Sequence, residues 1–152
     1  MAFISEKDTA FLQTKFAEEL KQDVTITHFT RQPSSLVVPG QEKCHYCKET
    51  KELIEEIVGL SEHLKLKIVD IDADPQTAKL YGVDTVPVTD LSGPNSKGKV
   101  RYLGIPMGHE FTPFIETLFE LGTAAPELSA KTLERLATVQ KPVHLEVFVT
   151  PT

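Results

Sequence analysis

A chain of 152 residues, of which 40% are apolar, can bury one good core, so one compact domain with at most an appendage is the expectation. Its formal charge of -6 comes from acids spread along the chain, which leaves no basic footprint for nucleic acid or an anionic membrane. The start, MAFISEKDTAFLQ, lacks the basic segment, apolar run and small-residue cleavage site of a leader, and no stretch approaches the roughly 18 apolar residues of a membrane span; the cytoplasm is therefore the expected location.

Ser5, followed by Glu6 and Asp8, reads as a helix cap with acids in the first turn, and Leu12, Phe16 and Leu20 recur at helical spacing. This predicts a helix over about 5–22. DVTITHFT alternates and is rich in β-branched residues, so it reads as a strand with Val24, Ile26 and His28 on one face and Thr25, Thr27 and Phe29 on the other. The connection over 31–43 is long and punctuated by Pro33, Pro39 and Gly40. Beyond it Leu53, Ile54, Ile57, Val58 and Leu60 form an apolar stripe with Lys and Glu opposite, predicting an amphipathic helix that begins at or near Cys44.

LKLKIVDID alternates as a strand, and PQTAKLYG has Pro75 in a first-turn position and Gly82 as a stop. TVPVTDL resumes extended structure, and SGPNSKGK is dense in turn residues, joining that strand to VRYLG as a hairpin. Phe111, Phe114, Ile115, Leu118 and Phe119 then trace a helix ending at Gly122. Crossover units make parallel neighbours and a hairpin adds antiparallel ones, so the order α, β, α, β, α, β, β, α implies a mixed sheet with helices on both faces. That is a thioredoxin fold over residues 1–125.

Residues 126–152 form an extension. SAKTLERLATVQ reads as a further helix and PVHLEVFVTPT as a further strand, whose alternation echoes DVTITHFT; together they resemble the opening of a second copy of the same unit. Lacking the rest of its unit, the strand over 143–149 is expected to pair with an edge of the first sheet or with another chain, the latter giving a homodimer.

The only two cysteines, Cys44 and Cys47, stand three apart in EKCHYCKE. A zinc site would need two more ligands, and His28, His63, His109 and His144 offer none at a knuckle spacing. His28, in a strand, reads as a packed core or edge histidine. On a helix, residues three apart share a face with β-carbons about 5 to 6 Å apart, so the two thiols can open and close a disulfide with modest adjustment. If Cys44 lies at the helix N-terminus, unpaired amides and the helix dipole lower its pKa below about 8.5 and make it the attacking sulfur. Cys47 is then the shielded resolving thiol. His45, when protonated, would favour the Cys44 thiolate; the alternative is a solvent-facing side chain of little influence. Tyr46 either forms part of the rim or covers the first helical turn.

Pro87 stands inside a strand signal, where its missing amide would break a ladder unless it opens the strand or makes a tight bend. In thioredoxin-fold proteins a cis-proline loop faces the dithiol at this point of the topology. There it would expose the Val86 backbone to an extended substrate segment. Gly104 and Gly108 are explained by turn geometry or by close approach to the dithiol. Asp70, Asp72 and Asp74 fit a strand end and an acidic helix entry, and no chemistry is assigned to them.

FISEKD, CHYC, KIVDIDAD, YGVDTVPV and VRYLGIPMGHEF resemble, in order, the landmarks of the N-terminal unit of the glutaredoxin-like protein disulfide oxidoreductases, which hold two thioredoxin-fold units in one chain. The resemblance implies that Cys44 is the nucleophile, Cys47 the resolving cysteine and Pro87 the cis-proline. It also implies thiol-disulfide oxidoreductase activity on protein substrates, with a redox-active Cys44–Cys47 disulfide and no bound cofactor or metal. Electrons would come from a thioredoxin-reductase-like flavoprotein or from small thiols. VFVTPT resembles the strand leading into the second unit, so the sequence is expected to be part of a two-unit protein. The connection before Cys44 is longer than the family's usual loop, and Leu36, Val37 and Val38 would form a lid or substrate surface, or fill a groove. A non-catalytic thioredoxin-like binding module and a dedicated electron-carrier domain are the alternative functions.

Overall fold

The computed structural model describes residues 2–32, 44–94, 96–123 and 128–149. Its elements follow the expected order: α1 (Glu6–Glu19), β1 (Val24–Thr30), α2 (Cys47–Val58), β2 (Leu64–Asp70), α3 (Pro75–Tyr81), β3 (Val88–Ser92), β4 (Val100–Leu103), α4 (Phe111–Gly122) and α5 (Ala130–Ala137). The strands form one sheet in the order β2-β1-β3-β4. β1 and β2 are parallel, because α2 must return the chain between them. β1–β3 and β3–β4 are antiparallel.

Alternation along β1 splits the core in two. Val24 and Ile26 join Leu53, Ile54 and Ile57 of α2, Leu12 and Phe16 of α1 and Phe114 and Leu118 of α4 in the larger cluster. Phe29 faces the other way, packing with Val69, Ile71, Val88 and Ala78 of α3. Because helices cover both faces, six of the seven β1 residues are buried, Thr27 and Thr30 included. Helix α1 is capped as its sequence implies, Ser5 Oγ accepting from Asp8 N–H, and its Phe16 ring stacks on Phe119 of α4 with centroids 4.9 Å apart. The Glu56 carboxylate of α2 accepts from Phe3 N–H and Ile4 N–H at 2.8 and 3.0 Å, fastening the N-terminal segment to the helix that follows the cysteines.

Two expectations are corrected. Helix α2 begins at Cys47 rather than at Cys44, because its cap residue Tyr46 has φ -122° and ψ 11° and the helical bonding starts with Thr50 N–H to the Tyr46 carbonyl. Cys44 therefore precedes the helix. The strand expected over 143–149 does not form: residues 128–149 are exposed throughout, and beyond α5 they contain no strand. A strand exists only against a hydrogen-bonding neighbour, and among the described residues none of the sheet's strands pairs with this segment. The lid or groove role expected of Leu36, Val37 and Val38 lies outside the described residues.

Helix α3 shows both signals read from its sequence, with Asp74 capping Thr77 N–H, Pro75 at the first position and Gly82 in the left-handed region at φ 65°. Arg101 of β4 locks its far end. The guanidinium donates to both Asp90 oxygens at 2.6 and 2.7 Å and to the carbonyls of Tyr81 and Gly82 at 2.9 and 3.2 Å. This clamp holds the segment leading to Val86 and Pro87 against β3. Asp90 is 7% exposed, so removing its partner strands a buried carboxylate. Arg101→Ala is expected to cost about 3 kcal/mol in urea unfolding, and the Asp90→Ala, Arg101→Ala double variant less than the sum of the two single changes.

Candidate active site

The dithiol sits where the chain enters α2, above the C-terminal end of β1. Cys44 and Cys47 are joined as a disulfide with their Cα atoms 5.6 Å apart. Their environments differ: Cys44 is partly exposed, whereas Cys47 is 4% exposed and begins the buried stripe of α2 that continues through Thr50, Leu53, Ile54 and Ile57. Thr50 donates its hydroxyl to the Tyr46 carbonyl at 2.6 Å, fixing the first turn. The Tyr46 side chain makes no capping bond to this helix, and among the described residues no other side chain does. Its leading amides therefore remain available to negative charge on the sulfur that precedes them.

The turn opposite comes from the start of β3. The Val86–Pro87 peptide bond is cis, and Cys44 Sγ lies 3.5 Å from the Val86 carbonyl oxygen, 42 residues away in sequence. The Pro87 carbonyl accepts from Gly104 N–H at 2.9 Å, and Gly104 has φ 89°, a conformation open to glycine. This bond ties the proline turn to the end of β4, so turn geometry is the observed role of Gly104. The structure thus brings Cys44, Cys47, Val86 and Pro87 together. His45 and Tyr46 project from the same turn as exposed side chains, Tyr46 at 58%. Among the described residues neither side chain makes a hydrogen bond.

The three aspartates of VDIDAD organise the loop after β2. Asp70 accepts from the backbone of Gln32, Asp72 and Ala73, Asp72 pairs with Arg31 at 2.7 Å, and Asp74 caps α3.

His28 is the packed core histidine that its place in a strand implied. It is fully buried on the face of β1 shared with Val24 and Ile26, opposite Thr89 on β3 and Ile68 on β2. Its Nδ1 lies 3.0 Å from Thr89 Oγ1, while Nε2 is buried without a partner. Burial pushes the imidazole down to about 4; the Lys51 charge adds to the effect and the Val88 carbonyl opposes it. The available signal was the alternation itself, which places His28 on the face that the CxxC helix covers.

Because the unfolded chain binds this proton near 6.5 and the folded one only near 4, the unfolded state holds more protons between those values. Stability therefore falls as pH drops from 6.5 through 4, by on the order of 3 kcal/mol from this group alone. Urea unfolding of the unmodified chain and of His28→Leu across that window should show a loss in the former that is smaller by about this amount in the variant.

The family described as glutaredoxin-like domain (DUF836) matches residues 35–115. The F subunit of alkyl hydroperoxide reductase from Pseudomonas aeruginosa is 29% identical over 101 residues, which are 66% of this chain and 17% of that protein. Its counterpart from Staphylococcus epidermidis is 26% identical over 104 residues, 68% of this chain and 18% of that protein. The chain thus spans less than a fifth of the length of these relatives. Among solved structures, the alkyl hydroperoxide reductase AhpF of Enterococcus faecalis superposes with a TM-score of 0.74 at 22% identity, covering 92% of this chain and 62% of that one. A protein disulfide oxidoreductase from Aeropyrum pernix superposes at 0.72 and 23% identity, covering 91% and 56%. These likenesses show a shared fold, of thioredoxin type.

Proposed function

The chain belongs to the glutaredoxin-like domain family (DUF836), and from that premise we propose that it is a thiol-disulfide oxidoreductase unit that transfers electrons to protein disulfides through Cys44 and Cys47. The observation that carries this reading is the asymmetry of the pair, a partly exposed Cys44 at the Val86 carbonyl and a buried Cys47 in the first turn of α2. The outer sulfur attacks and the inner one resolves. In the reduced protein the Cys44 thiolate attacks a substrate disulfide, forming a mixed disulfide and expelling one substrate thiolate. Cys47 then attacks Cys44 Sγ, expelling the second, so the substrate gains two electrons and the protein regains its internal disulfide. A thioredoxin-reductase-like flavoprotein or small thiols return the two electrons. This cycle suits the reducing cytoplasm. Val86, next to the cis-proline, offers its backbone to an extended substrate segment, with His45 and Tyr46 at the rim.

The alkyl hydroperoxide reductase relatives favour a second, narrower reading, a dedicated electron-carrier domain serving one partner. On either reading residues 126–152 are the opening of a further thioredoxin-like unit, which accounts for an α5 whose Leu133 and Leu136 face solvent at 43% and 53%. Insulin-disulfide reduction at neutral pH tests the main proposal: turnover is expected for the unmodified chain, background rate for Cys44→Ser, and a trapped mixed disulfide at Cys44 for Cys47→Ser. Equal activity of Cys44→Ser and the unmodified chain would refute it. Turnover with a peroxidase disulfide but not with insulin would select the carrier reading.

A further inference from the structure

Both ends of the proline loop are held from β4. The β3–β4 register sets Arg101 directly opposite Asp90, on the face of the sheet where Val88 packs with Ala78 of α3. From there the guanidinium spans three acceptor groups. Nε and Nη2 donate to the two Asp90 oxygens at 2.6 and 2.7 Å, Nη2 also donates to the Tyr81 carbonyl at 2.9 Å, and Nη1 donates to the Gly82 carbonyl at 3.2 Å. Lys99 Nζ adds a second donor to the Tyr81 carbonyl at 2.9 Å. At the other end of β4, Gly104 N–H donates to the Pro87 carbonyl at 2.9 Å. The chain from Gly82 to Pro87 is therefore gripped where it leaves α3 and where it enters β3.

Between those grips the loop has little of its own to hold it. Val83 is buried and its N–H bonds to the Ala78 carbonyl at 2.9 Å. Asp84 and Thr85 are exposed, and among the described residues the backbone of 84–86 makes no backbone–backbone hydrogen bond. Those free backbone groups are what an added strand uses, so their placement has to come from outside the loop. Arg101 joins the exit of α3 to both β3 and β4 through one rigid group. A planar fork with fixed donor directions suits this task, whereas an ammonium keeps the charge beside Asp90 without spanning all three acceptors.

We propose that Arg101 is a positioning residue for protein substrates, fixing the Val86 backbone where an extended substrate segment pairs with it, an inference that rests on the oxidoreductase reading above. Its effect passes through Gly82 and the loop rather than through the sulfurs. It therefore acts on substrates that pair with backbone and leaves small disulfides, which meet Cys44 alone, unaffected. A loop held in advance removes an ordering cost at docking, and that gain falls on KM.

Arg101→Lys separates positioning from folding, because it leaves the Asp90 carboxylate with a charged partner. In insulin reduction with dithiothreitol as electron donor, this variant is expected to raise KM about fivefold or more, while kcat and the rate with Ellman's reagent stay within about twofold. The Asp90→Asn, Arg101→Gln pair, which carries no charge at this place, should show the rise in KM as well. Leu12→Ala, in the cluster on the other face of the sheet, should lose at least as much stability in urea as Arg101→Lys with KM unchanged. An unchanged KM in Arg101→Lys, an equal loss with Ellman's reagent, or the same rise from Leu12→Ala would overturn the proposal. If the unmodified chain reduces a peroxidase disulfide and not insulin, that protein replaces insulin in the same comparison. Reduction of Ellman's reagent but of neither protein would overturn the reading of protein disulfides as substrates, and this proposal with it.

Discussion

The contact between Cys44 Sγ and the Val86 carbonyl, 3.5 Å across a sequence separation of 42 residues, depends on two structures meeting at one end of a sheet. One is the crossover that carries α2 back over β1 and leaves the dithiol above the strand ends. The other is the proline turn, fastened to β4 by the Gly104 N–H and held indirectly by the Arg101 clamp. Both depend on β1, which is hydrogen-bonded on each side and covered on both faces. Displacing β1 would separate the sulfurs from the backbone opposite them.

Two influences act in opposite directions on Cys44. Uncapped amides at the start of α2 favour a thiolate, whereas the Val86 carbonyl can accept from a thiol and repels a charged sulfur. An extended substrate strand that engages the Val86 backbone would draw on that same carbonyl. On the proposed function, substrate docking and activation of the nucleophile would be coupled through this single oxygen atom, with the buried Cys47 held back until the mixed disulfide exists.

Much of this was legible from local chemistry. The Ser5 cap, the Pro75 and Gly82 boundaries of α3 and the apolar stripe of α2 each express a period or backbone preference that tertiary packing then reinforced. Pro87 was legible because its missing amide conflicts with the strand around it. The helix start at Cys47 was harder to read, since it is set by the backbone angles of Tyr46 and the Thr50 bond to its carbonyl rather than by composition. Residues 143–149 carry a strand pattern, but pairing depends on a neighbour and none of the described strands meets them. His28 shows the same limit: alternation reveals its face, but only the fold shows that one ring nitrogen is bonded to Thr89 and the other buried alone.

The proposed chemistry divides labour between an accessible attacking sulfur, Cys44, and a shielded resolving one, Cys47. Competitive alkylation of the fully reduced chain over a pH series, with each cysteine quantified by peptide mass spectrometry, tests it most directly. Cys44 is expected to be modified first, with a midpoint below the roughly 8.5 of a free thiol, while Cys47 stays protected. Equal rates at both cysteines, or faster modification of Cys47, would contradict it.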